Sequence, residues 1–150
     1  MELRPFNDSH LDLMTSLQQQ DDVWEFIGTL PIARPGQDDH VFAIMEGPVA
    51  LGFAGLFKSR AAGGDDFELL CALRSEAQLH GVAKQACQLV LNWAFSTGRL
   101  ERVIACIDAS NQAARAIATK LGMQELGGGQ RPATRIIYVK YRDERSLTHA

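Results

Sequence analysis

The chain has no hydrophobic run approaching the roughly twenty residues that cross a bilayer, so no membrane association is expected. It has no block of lysine or arginine either. Fifteen Lys and Arg face 18 Asp and Glu, a net charge of −3, and a nucleic-acid partner is not expected of such a surface. Cysteine is scarce: Cys71, Cys87 and Cys106 make an odd count, each inside an apolar segment. They read as buried reduced thiols, which points to a reducing cytoplasm. The histidines, His10, His40, His80 and His149, are scattered without ligand spacing, so no metal is expected. Met1-Glu2-Leu3-Arg4-Pro5 lacks the apolar core of a secretory signal, which agrees with a cytoplasmic location. With no internal repeat and no low-complexity linker, residues 1–150 are expected to form one domain.

What is present is the composition of a globular protein, 46% hydrophobic and 22% charged. Leu3 to Phe6 reads as a short strand, and Asp8 or Ser9 as the cap of a helix reaching about Gln20. A shorter helix after Asp21-Asp22 carries Val23, Trp24, Phe26 and Ile27, followed by a loop with Pro31, Pro35 and Gly36. Val41 to Met45 and Val49 to Phe57 form a hairpin about Glu46-Gly47-Pro48. Phe67 to Leu73 is the next strand, after a Gly63-Gly64-Asp65-Asp66 turn. A long helix follows from about Gly81 to Gly98. Its polar stripe is Lys84, Gln88, Asn92 and Ser96, with Ala86, Leu89, Val90, Trp93 and Ala94 largely opposite. Val103 to Ile107 is a strand, and Asn111 leads a helix closed by Gly122. After a loop at Gly127-Gly128-Gly129 and Pro132, Ile136 to Tyr141 is the last strand. The order implies an α/β fold: a mixed, mostly antiparallel sheet of about seven strands with helices on both faces.

The segment richest in chemistry is Leu73-Arg74-Ser75-Glu76-Ala77-Gln78-Leu79-His80-Gly81-Val82-Ala83. A strand ends there, a short loop turns, and a long helix begins. The helix N-terminus offers unpaired N–H groups and the positive end of its dipole, a ready site for a pyrophosphate. Gly81 and Ala83 are small enough to let an anion approach the backbone. Neither GxxxxGK[ST] nor GxGxxG occurs. A generic helix start is the other reading of this window.

Gln78-Leu79-His80-Gly81-Val82-Ala83 resembles the Q/R-x-x-G-x-G/A motif of the GNAT superfamily of N-acetyltransferases. Leu100 to Ala105, Asn111 and Lys120-Leu121-Gly122-Met123 resemble that family's strand, Asn-led helix and closing Leu-Gly-aromatic. Leu3-Arg4-Pro5-Phe6 and the Glu68-led strand are similar to the branch that includes ribosomal-protein N-terminal acetyltransferases. The resemblance covers roughly residues 3 to 142 and implies the GNAT fold with acetyl-coenzyme A (acetyl-CoA) as cosubstrate. It implies that the backbone of Leu79, His80, Gly81, Val82, Ala83 and Lys84, after Gln78, cradles the pyrophosphate. The strand edge at Cys71, Ala72 and Leu73 would bond the pantetheine arm like an added strand, exposed because its neighbours splay apart. Asn111 would bond the pantetheine, or serve as a plain helix N-cap.

Acetyl transfer needs a neutral amine, and a free alkylamine is mostly protonated at neutral pH. Glu68, a carboxylate inside an apolar strand, is the candidate base, since desolvation should raise its affinity for a proton. A glutamate that merely meets solvent is the other reading. Many relatives carry a tyrosine acid and an Asn-x-x-Ser where this chain has Ala118 and Ala114, and Met123 stands for the usual aromatic. Ser110 and Tyr138 are the remaining hydroxyls considered for the acid, and neither is assigned the role.

The leading expectation is therefore an acetyl-CoA-dependent N-acetyltransferase acting on a primary amine, either a small molecule or a protein N-terminus. A homodimer is compatible with it. The acceptor is expected between the first helices and the C-terminal hairpin, near Trp24, Phe26 and Arg131. The alternative is a non-catalytic acyl-CoA-binding module with a degenerate active site. A protein-interaction domain that uses the fold as a scaffold fits less well.

Overall fold

The computed structural model describes residues 1–18, 38–74, 81–126 and 134–142. Strand β1 (Glu2–Pro5) is followed by a 3-10 turn (Asp8–His10) and helix α1 (Leu11–Gln18). Then come β2 (His40–Glu46), β3 (Val49–Ser59), β4 (Asp66–Leu73), α2 (Val82–Ser96), β5 (Arg102–Asp108), α3 (Gln112–Lys120), β6 (Gln124–Glu125) and β7 (Arg135–Tyr141). The cap of the first turn is Asn7, not Asp8 or Ser9: its Oδ1 accepts from the Ser9 amide at 2.9 Å. His10 Nδ1 accepts from the Asn7 amide at 3.1 Å, which gives that histidine a structural task. The helix expected at Val23 to Ile27, and Trp24, Phe26 and Arg131 with it, lie outside the described residues.

The sheet has seven strands in the order β1-β2-β3-β4-β5-β7-β6. Every neighbouring pair is antiparallel except β4 and β5, which run parallel. Strand alternation sorts the side chains onto two faces. Leu69, Cys71 and Leu73 of β4 and Val103, Ala105 and Ile107 of β5 pack with Ala83, Ala86, Cys87, Val90 and Leu91 of α2 and Ala114 and Ala118 of α3. On the other face, Phe53, Phe57 and Ala72 pack with Leu13 and Leu17 of α1, and Ile104 and Cys106 with Ile137 and Val139. Helices therefore cover both faces. The alanines of α2 and α3 bring those helices close to the sheet. Leu89 departs from expectation: it is 40% exposed, because the buried arc of α2 is centred on Ala86, Val90 and Ala94.

Two features position the site. The ladder between β4 and β5 holds a single pair, Glu68 with Ile104. Beyond it, Leu69–Leu73 stays paired with β3 while the ladder to β5 has ended, so the sheet opens into a fork. At the closed end, Arg102 of β5 grips Asp66 of β4, with Nε at 2.7 Å from Oδ1 and Nη2 at 2.9 Å from Oδ2.

Candidate active site

Glu68 sits where the fork closes. It is the one charged residue buried as a whole among the described residues, 7% exposed, on the face shared with Phe57 and Ile104. Burial pushes its carboxyl up from the ordinary range; a hydrogen bond from Ser59 and the charge of Arg135 oppose that push. Ser59 Oγ donates to Glu68 Oε1 at 2.9 Å. A carboxylate raised by burial but held by one donor is suited to taking a proton in a dry site and giving it up again.

Strand β4 continues from Glu68 into Cys71, Ala72 and Leu73, all nearly inaccessible as whole residues. Their backbone forms the edge that faces into the fork. Arg74 fixes the end of this edge: its amide donates to Leu51 O at 2.8 Å and its Nε to Ala50 O at 2.9 Å. Gly52, opposite Leu73, is obligatory here, because a Cβ on it would collide with Ala72 O. The Cys71 thiol is pushed well above its ordinary range by a hydrogen bond with Cys87 and by burial. It is therefore a packed thiol, not a nucleophile, despite its place at the fork.

At the mouth of the fork, helix α2 starts on Gly81, whose φ of 69° lies in the left-handed region that favours glycine. A Cβ there would meet no atom within 4 Å, so the backbone stands open. The first intrahelical donor is the Gln85 amide, 3.2 Å from Gly81 O. The amides of Val82, Ala83 and Lys84 come before it, as orphan donors of the first turn, and no acidic residue sits there to repel an anion. Ala83 is buried with its methyl in the core, so its small size serves helix packing; the open approach belongs to Gly81. Gln78, Leu79 and His80 lie outside the described residues.

Asn111 caps α3, its Oδ1 accepting from the Ala114 amide at 3.1 Å. Neither hydroxyl considered for the acid is brought to Glu68. Ser110 Oγ donates to Asp108 Oδ1 at 2.7 Å, in a turn where Ser110 holds the Asp108 carboxyl below its usual range. Tyr138 pairs with Ala105 and lies on the opposite face of the sheet, its hydroxyl accepting from Arg115 Nε at 3.1 Å. Ala114 and Ala118 are fully buried and add no hydroxyl.

Two participants escaped the reading of the sequence. Ser59 lies beyond the expected end of its strand at Phe57, although continuing the alternation Phe57–Ser59 puts it on the face of Glu68. Asp66 was expected only as a turn residue; its partner Arg102 is 36 positions away, and no local pattern links the two.

Residues 1–124 match the model of a family described as an acetyltransferase (GNAT) domain. No curated protein matches the chain by sequence. Among solved structures, the chain is similar to a ribosomal-protein-alanine N-acetyltransferase from Brucella melitensis. The two are 19% identical over 94% of this chain and 99% of that one, with a TM-score of 0.70. A spermidine N-acetyltransferase from Vibrio cholerae, in complex with CoA and spermine, is 12% identical over 95% and 96%, with a TM-score of 0.74. An acetyltransferase from Agrobacterium tumefaciens is 15% identical over 93% and 89%, also with a TM-score of 0.74. At these identities the likeness is one of fold.

Proposed function

The chain belongs to the GNAT acetyltransferase family, and we propose that it transfers the acetyl group of acetyl-CoA to a primary amine, with Glu68 as general base. The observation that carries this reading is the fork, where the ladder between β4 and β5 stops at a buried carboxylate, Glu68. The fold, the open backbone at Gly81 and the β4 edge past Glu68 fit the cosubstrate.

When bound, acetyl-CoA supplies an acetyl thioester. The amides from Gly81 to Lys84, with Gln78, Leu79 and His80, would hold its pyrophosphate at the positive end of α2. Cys71, Ala72 and Leu73 would bond its pantetheine arm as an extra strand would. Asn111 stands at the start of α3, across the fork. Glu68 takes the proton from the amine nitrogen, leaving its lone pair free to attack the acetyl carbon. No side chain is assigned as acid to the departing thiolate.

The acceptor class is a small-molecule amine or a protein N-terminus, and the solved relatives include one of each kind by name. The resemblance of Leu3-Arg4-Pro5-Phe6 and the Glu68-led strand favours the N-terminal branch. Buried Ala114 and Ala118 favour a second reading, a module that binds acyl-CoA without turnover. A thiol-release assay over polyamines, amino acids, aminoglycosides and N-terminal peptides tests the proposal. Binding of acetyl-CoA without release on any acceptor would select the second reading.

A further inference from the structure

A buried base must be reset after every turnover. Glu68 is 7% exposed, and during reaction its side of the fork would be filled by amine or product. Its proton therefore needs another way out. Ser59 Oγ, 2.9 Å from Glu68 Oε1, is itself half-buried at the end of β3 and also accepts from the Ala61 amide at 3.2 Å. Ser59 also lines a cavity of about 270 Å³ with Lys58, Arg60, Asp65, Asp66 and Phe67, at the β3–β4 hairpin. One residue thus bonds the carboxylate and borders a cavity.

We propose that Ser59 is the proton relay through which Glu68 discharges into the β3–β4 hairpin cavity. This rests on Glu68 acting as the base. The protonated carboxyl of Glu68 donates to Ser59 Oγ while the Ser59 hydroxyl releases its own proton to water in the cavity. One proton enters the relay and one leaves; the Ser59 hydroxyl and the Glu68 carboxylate are both regenerated. The other charged groups on this face do not compete for the task. Asp66 and Arg102 satisfy each other in their ion pair, and β5 presents apolar Ile104. Arg135 of β7 acts on Glu68 through charge and lowers its proton affinity.

The test is Ser59→Ala, with Ser59→Thr and Glu68→Gln measured beside it. Ser59→Ala should lower kcat by about ten- to a hundredfold, at or below the ~10²–10⁴ that a positioned acid or base supplies directly, and leave the KM for acetyl-CoA unchanged. Its acidic rate limb should move to higher pH, because the lost hydrogen bond had opposed the effect of burial. Imidazole, small enough to enter the cavity, should restore kcat in proportion to its concentration, and Ser59→Thr should behave like the parent. Parental kcat in Ser59→Ala, or a slow variant that imidazole does not rescue, overturns the relay. If Glu68→Gln is inactive in the same experiments, the base assignment stands without the relay. An active Glu68→Gln removes both.

Discussion

Asp66 and Arg102 form the rivet of the fork: two parallel charge-assisted hydrogen bonds join β4 to β5 one alternation before the last paired residues, Glu68 and Ile104. The Asp66 side chain is 6% exposed and that of Arg102 28%, so water screens the pair only weakly. The charge of Asp66, and its hydrogen bond above all, hold the Arg102 guanidinium above its ordinary range. Beyond the Glu68–Ile104 pair the ladder ends and the strands separate.

Removing one partner leaves the other charged and partly buried. Asp66→Asn should cost about 1–3 kcal/mol of stability in urea denaturation. The variant should also raise the KM for acetyl-CoA, since the closed end of the fork sets the spacing of its arms. A variant with parental stability would show that the pair is solvated and decorative.

Glu68→Gln preserves shape and can still accept from Ser59, but it has no proton affinity. Its kcat should fall by ~10²–10⁴, with binding of acetyl-CoA by calorimetry unaltered. The rate should recover at high pH, where more of the amine is already neutral. Full activity would move the base to water or a backbone carbonyl.

The same substitution carries an opposite prediction for stability. Burial raises the carboxyl of Glu68 in the folded state, so the folded chain binds more protons than the unfolded one between the two values. Its stability contribution is complete below the unfolded value and is lost as pH rises through the folded one. Above the folded value Glu68 is thus a buried charge that weakens the fold, and there Glu68→Gln should melt higher than the parent. The gap should close on acidification below the usual carboxylate range. Melting curves at several pH values check this without any substrate.

At Gly81 the left-handed backbone would confound a bulky substitution, so the informative pair is Gly81→Asp and Gly81→Asn. Both side chains tolerate that conformation and differ in charge alone. Asp should weaken acetyl-CoA binding by about tenfold more than Asn, equivalent to roughly 1.4 kcal/mol, and the difference should shrink with added salt. Equal affinities would place the pyrophosphate elsewhere.

Gly52→Ala tests the edge from behind. Its new Cβ would collide with Ala72 O, a backbone atom that cannot move aside without shifting β4. A loss of about 1–3 kcal/mol is expected, the usual range for overpacking. A larger fractional loss in acetyl-CoA affinity than in melting temperature would locate the damage at the Cys71 to Leu73 edge.

How much of this was legible follows from the range over which each signal acts. Val41 to Met45 announced a strand because every residue is apolar, and the Gly47-Pro48 turn fixed its hairpin with β3. Helix α3 was legible at both ends, through Asn111 as cap and Gly122 with φ of 85° after it. The cap of the first helix was misplaced by one or two residues, since a 3-10 turn starting from Asn7 precedes α1. In the site, Glu68 stood out as a carboxylate among apolar neighbours. Ser59 did not, because a serine near a strand end looks like the start of a turn. The Asp66–Arg102 pair was invisible, as it depends on two strands that meet only after α2 has crossed over.

The fork also bears on how the protein avoids its own kind. A sheet recruits foreign strands at its unpaired edges. Here the outer edges are poor templates: β1 is four residues long and carries Glu2, Arg4 and Pro5, and β6 has two residues. The β4 edge past Glu68, where the ladder to β5 stops, is turned inward, with β5 across from it and Arg102 and Asp66 closing one end. A strand of another molecule would have to thread this slot lengthwise, side chains included. A slender chain that carries amides but no side chains would meet no such obstacle, so a slot able to take the proposed cosubstrate is a poor template for a foreign strand.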